Sequence, residues 1–277
     1  MANLRNSVSQ PLVQTIGQTF ILAYRESTDQ LAAALTAEGL ICEVLRQRDL
    51  PEYQGYASTY RCMLNHQQAW IRAASITSPT LIVEADFVPV VGLGQLPLPF
   101  QAHQQNAGIS WLYTCAPQLY SVSADGFGEG FSTGLVAYVV TPLAAAALCE
   151  MVAEITRTHG TGYVTFDSEI DKYLRAKGFK NYIPFRNYGE HGGVPNPEHR
   201  RNGMSGIHRA DVLYGQLAFA PAYAAAESTP LARLQARTKG LARLLLGKFL
   251  RLKVLRTSSS PLRMLRFAIG RQISGVL

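Results

Sequence analysis

The chain has 277 residues, 47% of them hydrophobic, and a formal net charge of +7. That is enough apolar content for one sizeable core with an appendage; Gly and Pro are spread along the chain, and no repeat at solenoid periods occurs, which excludes a low-complexity or repeat architecture. The charge is one-sided: all 19 acidic residues precede Ser228, while residues 228–277 hold eleven of the 26 Lys and Arg, so this tail is net +11 and the rest net −4.

Residues 1–17 are polar and read as a flexible lead-in. No apolar h-region precedes Thr19 and no stretch of about 18 apolar residues is free of charge, so neither a signal peptide nor a spanning helix is expected. Thr19–Tyr24 reads as the first strand. Ser27 opens a helix that Gly39 ends, and Leu40–Leu45 forms the next strand, a βαβ unit. A helix follows over 60–74, then the apolar strand Thr80–Val83. Residues 87–110 read mostly as loop, Ser110–Thr114 as a short strand and Gly134–Val140 as another. Thr141-Pro142 caps a helix over 143–155, and Asp167 opens a second over 167–177. Residues 186–209, rich in Asn, Gly, His and Arg, read as a long functional loop. Alternating strands and helices predict an α/β domain over 18–227 with a largely parallel sheet flanked by helices.

Four cysteines, Cys42, Cys62, Cys115 and Cys149, show neither a Cys-x-x-Cys pair nor zinc spacing, and read as reduced thiols of a cytosolic protein. The sharpest motif is LIVEADFVP, residues 81–89. It places Glu84 and Asp86 just past a buried strand, where open α/β sheets bind ligands. Carboxylate oxygens there suit Mg²⁺ or Mn²⁺ on a diphosphate; the bland alternative is the start of a solvated loop.

With RCMLNHQQAW (61–70) before this acidic end, GLVAYVVTPLAAAAL (134–148) after it and Asp167 in FDSEIDKYL, the chain resembles glycosyltransferase family 25, the lipopolysaccharide-biosynthesis glycosyltransferases. The likeness spans roughly residues 18–220. Asn65 stands where a serine is usual, and Ala85 where the family has a middle acid. The resemblance implies a GT-A-type, Rossmann-like fold that moves a hexose from a nucleoside-diphosphate sugar to a saccharide or glycolipid acceptor. A catalytically inactive nucleotide-sugar-binding relative is the alternative. It further implies a cation on Asp86 and Glu84, with Glu84 on ribose or metal-bound water as its other role, and a histidine that completes the site. His191 is first choice, ahead of His208 and His199. His66 is a donor-site residue or a packed histidine. Arg46 reaches donor phosphate or base, or is a solvated edge residue. An inverting transfer needs a base, for which Asp167 and then Glu190 are candidates; Asp167 also suits a helix N-cap.

In the tail, residues 230–256 read as one helix with Leu231, Leu234, Leu241, Leu245, Phe249 and Leu252 in a sector about 80° wide. A second helix follows over 262–273. A basic amphipathic helix predicts an anionic membrane surface as partner, a peripheral location on the inner face of the membrane, and a lipid-linked acceptor. No aromatic-rich or known nucleic-acid motif accompanies the charge, which argues against nucleic acid.

Overall fold

The apolar runs become strands buried on both faces. The computed structural model describes residues 10–193, 201–202 and 208–273. In chain order the elements are α1 (Leu12–Thr15), β1 (Gln18–Ala23), α2 (Asp29–Ala37), β2 (Cys42–Arg46), α3 (Ser58–Ala73), β3 (Thr80–Glu84), β4 (Phe87–Pro89), β5 (Ala107–Trp111), β6 (Cys115–Val122), β7 (Gly128–Thr133), β8 (Ala137–Val140), α4 (Pro142–His159), α5 (Ile170–Ala176), β9 (Lys180–Ile183), β10 (Gly189–His191), α6 (Thr229–Leu245), α7 (Leu252–Thr257) and α8 (Pro261–Ile273).

Among the described residues, eight strands form one sheet in the order β2-β1-β3-β8-β5-β9-β7-β6. β7 and β8 run against the other six, so the sheet is largely parallel in direction. Strand residues alternate between faces. Phe20, Leu22, Ile82, Tyr138 and Val140 pack with Met63 and Trp70 of α3 and Leu148 of α4. Ile21, Leu81, Val83 and Val139 pack on the other face with Leu31 and Leu35 of α2. This is the α/β fold with helices on both faces that the sequence predicts. The chain leaves β1 for β2 on one side and returns to β3 on the other. That reversal is a topological switch point, the place where such sheets bind ligands.

Three expectations are corrected. Residues 11–16 are not a loose lead-in: Leu12 is fully buried and its N–H donates to the Leu96 carbonyl. The β6–β7 hairpin, unread in the sequence, extends the sheet. Its Gly128 and Gly130 lack side chains because Phe267 and Ile183 occupy that space.

The third correction concerns the tail, which is docked on the body. Phe249, Met264, Phe267 and Ala268 join the core, and the Leu119 N–H donates to the Phe249 carbonyl. The helix expected over 230–256 stops at Leu245; Gly247, at φ 65°, turns the chain so that Phe249 points inward. α6 lies against the body by its small residues Ala232, Ala236 and Gly240, with Leu244 alone of its leucines packed on the core. Its arginines flank that stripe: Arg233 donates to Glu190 Oε2 (2.8 Å) and Arg243 to the Ala116 and Pro117 carbonyls. In α8, fully buried Arg271 meets Asp211 Oδ1 at 2.7 Å and also donates to the Pro184 and Phe185 carbonyls.

Burial presses the Asp211 carboxyl upward, but Arg271 and the bonds from Gln272 and the backbone outweigh it and hold it below its usual range. The stability this adds is therefore present above the ordinary carboxylate value of about 3.9 and lost as pH falls through the lower folded value. Arg271→Met leaves a buried carboxylate without its cation, and is expected to cost about 3–5 kcal/mol in urea unfolding. The variant should also lose part of the wild-type stability difference between neutral and strongly acid pH.

Candidate metal and donor site

Glu84 and Asp86 lie at the carboxyl end of β3, on either side of Ala85. The backbone fixes both: the Glu84 N–H donates to Val136 and the Ala85 N–H to Leu22. Opposite them, β10 pairs antiparallel with β4 and sets His191 against Phe87. His191 Nε2 thereby comes within 2.9 Å of Asp86 Oδ2. Ligand atoms of Glu84, Asp86 and His191 all lie within 4.8 Å of one another. Of the loop histidines named from the sequence, His191 is the one at the acids. His208 lies apart, its carbonyl accepting from the Tyr113 hydroxyl; His199 falls outside the described residues.

The triad suits a divalent cation. Asp86 Oδ1 is buried without a hydrogen-bond partner, which is costly unless something else satisfies it. Two carboxylates and an imidazole match the mixed oxygen and nitrogen preference of Mn²⁺, and carboxylates also suit Mg²⁺. A cation about 2.1 Å from each ligand needs donor atoms roughly 3–4 Å apart, within side-chain adjustment of the observed cluster. Burial pushes the Asp86 carboxyl up, yet His191, helped by Arg209, holds it below its usual value. Burial pulls the His191 imidazole down, and Asp86 with Glu84 outweighs that and raises it. The two groups thus stabilise each other's charged forms.

His66 supports Glu84 from behind. Trp70 Nε1–H donates to the Tyr138 oxygen at 2.8 Å. Tyr138 can then give its proton to His66 Nδ1 (2.8 Å), which leaves Nε2–H to donate to Glu84 Oε1 at 3.1 Å. This chain places an Nε2–H on Glu84 and orients the carboxylate. Cys62, one turn before His66, adjoins the same carboxylate. Burial, with Glu84, Asp167 and Asp86 nearby, pushes its thiol well above the ordinary range, so it stays protonated at neutral pH.

A pocket of about 210 Å³ opens beside the acids at the switch point, lined by Tyr24, Glu26, Gln47, Asn65, His66 and the acidic segment. Arg46 does not line it; its guanidinium donates to the Tyr24 and Glu26 carbonyls and so braces the pocket's edge. Asn65 Nδ2 donates weakly to Ala23 O at 3.4 Å, while its Oδ1 is buried without a partner.

The two candidate bases differ. Asp167 is not the cap of the following helix, which begins at Ile170. It sits in a 3-10 turn, with Oδ2 accepting from the Gly134 N–H and Oδ1 from Ser168. Its charge helps raise the Cys62 and Cys115 thiols, but it neither lines the pocket beside the acids nor belongs to their cluster. Glu190 is fully buried; its oxygens accept from the His191 and Ala210 N–H groups and from Arg233. It is corrected from candidate base to an internal anchor for α6. The alternation of β10 explains this, because neighbours on a strand face opposite ways and His191 takes the side toward Asp86.

Sequence reasoning missed Tyr138, Arg209 and Gly193. Tyr138 lies in an apolar strand, where only the need of a buried hydroxyl for a partner could have marked it. Arg209 donates to the His191 and Gly193 carbonyls and lies 3.6 Å over the Tyr223 ring, which clamps the turn after β10. A Cβ at Gly193 would overlap Asp86 Oδ2. Gly193→Ala is therefore expected to weaken Mn²⁺ binding, read by calorimetry, by at least about tenfold, the scale of one lost charged contact. Wild-type affinity should rise with pH through the His191 titration, since the proton must leave before the nitrogen can bind a cation.

No protein-family model and no curated protein matches the chain. Among solved structures it is similar to a glycosyltransferase involved in the glycosylation of the major capsid of PBCV-1. The two share 12% identity over 60% of this chain and 82% of that one, with a TM-score of 0.41. At that distance, the chemistry rests on this chain's own residues.

Proposed function

We propose that the protein is a metal-dependent glycosyltransferase of the GT-A type, moving a hexose from a nucleoside-diphosphate sugar to a saccharide acceptor. The observation that carries this reading is the convergence of Glu84, Asp86 and His191 at the switch point, beside a pocket with an orphaned acceptor. The order of sequence motifs that resembles glycosyltransferase family 25 supports it, and we extend the reading to lipopolysaccharide synthesis.

In this reading, Asp86 and His191 hold Mn²⁺ or Mg²⁺, and Glu84 is either a third ligand or a partner for metal-bound water or ribose. The bound cation supplies positive charge against the diphosphate that leaves. Asn65 Oδ1 accepts from a donor hydroxyl or N–H. His66 and Tyr138 keep Glu84 in one orientation. Arg46 holds the backbone edge against which the base or ribose rests. Asp167, fixed by two backbone N–H groups, takes the acceptor proton. Asp86→Asn should abolish Mn²⁺-dependent hydrolysis and transfer, with little change in melting temperature. Asp167→Asn should lower kcat by about 10²–10⁴-fold, the range of a general base, while Mn²⁺ and donor affinity persist. Donor binding without turnover on any saccharide would instead identify a non-catalytic binder.

The tail adds a location. α6 turns Leu231, Leu234 and Leu245 to solvent, Leu245 being 85% exposed; Leu246, Leu252 and Leu262 are exposed as well. Lys248, Arg251, Lys253, Arg256, Arg263 and Arg266 are exposed in the same segment. We propose that this surface rests on an anionic bilayer, as a lipid-linked acceptor would require. Burying a leucine gains about 1.5–3 kcal/mol, and each basic residue near anionic lipid adds about 1 kcal/mol. No helix among the described residues is long and apolar enough to cross a membrane. Leu231→Glu with Leu234→Glu and Leu245→Glu, all surface changes, should abolish flotation with phosphatidylglycerol vesicles and leave the melting temperature unchanged. Flotation equal to wild type would overturn this location.

A further inference from the structure

A second pocket, of about 270 Å³, lies between α6 and the body, and shares no lining residue with the one beside Glu84 and Asp86. Lys239 and Arg243 enter it from α6, and His208 and Arg209 from the facing loop. Two acids also line it. Asp211 is already met by Arg271 (2.7 Å) and Gln272 (3.0 Å). Glu227 is exposed and 3.8 Å from Arg209. A positive surplus remains, because Lys239 makes no ion pair among the described residues.

Arg243 adds to this charge. One terminal nitrogen holds the Ala116 and Pro117 carbonyls, and no carboxylate among the described residues forms an ion pair with it, so its guanidinium charge at the pocket wall is unmatched and favours an anion. The wall it grips contains Ala116 at φ 49°, among the described residues the one non-glycine with positive φ. Burial, then the charges of Lys239 and Arg243, lower the His208 imidazole, as a positive field should. The pocket is also tied to the candidate metal site, since Arg209 donates to the carbonyls of His191 and Gly193.

We propose that this pocket binds an anionic group, phosphate or carboxylate, carried by the acceptor saccharide. The proposal rests on the transferase reading for the word acceptor, but the anion site is testable without turnover. The donor's diphosphate belongs with the cation at Asp86. A distinct basic pocket, joined to the His191 turn through Arg209, leaves the acceptor as the molecule to present the second charge. Lys239 and Arg243 would supply the contacts, with Arg209 and His208 completing the rim.

The test is calorimetry on the full chain with glucose 6-phosphate, N-acetylneuraminic acid, glucose and inorganic phosphate, without donor. At least one charged sugar should bind about tenfold or more tightly than glucose, the size of one charge-assisted bond. Lys239→Glu, a change at an exposed position, should remove that preference and leave affinity for Mn²⁺ with a nucleoside diphosphate unchanged. Arg243→Met should act likewise, with its melting temperature measured beside it. Equal binding of charged and neutral sugars, or no charged sugar bound at millimolar concentration, overturns the proposal. So does inorganic phosphate binding as tightly as the phosphorylated sugar, which would assign the pocket to a free ion. Loss of metal–nucleotide binding in Lys239→Glu would assign it to the donor. Charged-sugar binding that survives in a protein with no transferase activity would sink the transferase reading alone.

Discussion

The pairing of β4 with β10 is the constraint on which the site depends. It closes a sequence separation of 105 residues between Asp86 and His191 with a three-residue ladder. Such a short ladder is marginal alone. It is held by what surrounds it: the Gly192 N–H donates to Asp86 O, Arg209 clamps the turn beyond, and buried Glu190 is tied to Arg233 of α6. Because side chains alternate along β10, one strand serves two purposes. His191 faces the acids, and Glu190 faces inward to the C-terminal helix.

That arrangement makes the basic C-terminal segment part of the site. An amphipathic helix ordinarily buries its leucines and exposes its arginines. α6 does the reverse. Ala232, Ala236 and Gly240 let its backbone approach the body closely, and Asp211 occupies the space a Cβ at Gly240 would need. Its arginines reach inward to carbonyls and to Glu190, and Leu231, Leu234, Leu241 and Leu245 are left outside. The same helix therefore braces the strand that carries His191, walls a basic pocket and offers an apolar face, so that under the proposed function location, acceptor and cation would be linked through a single element.

The acidic end of β3 has a second layer. Trp70, Tyr138 and His66 form a donor chain that ends on Glu84, and each member is buried. Such outer partners orient carboxylates and raise their precision as ligands. Ala85 lies between the two acids of the cluster, and its N–H bond to the Leu22 carbonyl holds the turn that presents them.

Local pattern alone was enough for the strands β1, β3 and β8, the Thr141-Pro142 start of α4, the α/β class, and the placing of Glu84 and Asp86 past a buried strand. These follow from burial periodicity, capping chemistry and strand ends, all of which act over a few neighbouring residues. The sequence also singled out His191, though by its place in a Gly-rich loop rather than by any spacing. Only the tertiary structure decided that His191 and not His208 meets Asp86, that Glu190 turns inward, and that Tyr138 joins the chain to Glu84. Those outcomes depend on which strands pair across a hundred residues. It also decided the fate of the tail. Helical periodicity sorts residues by polarity and marked the leucines as one apolar face for a membrane surface; docking on the body was governed instead by how closely small side chains let two backbones approach, and by buried acids on the body that needed arginines.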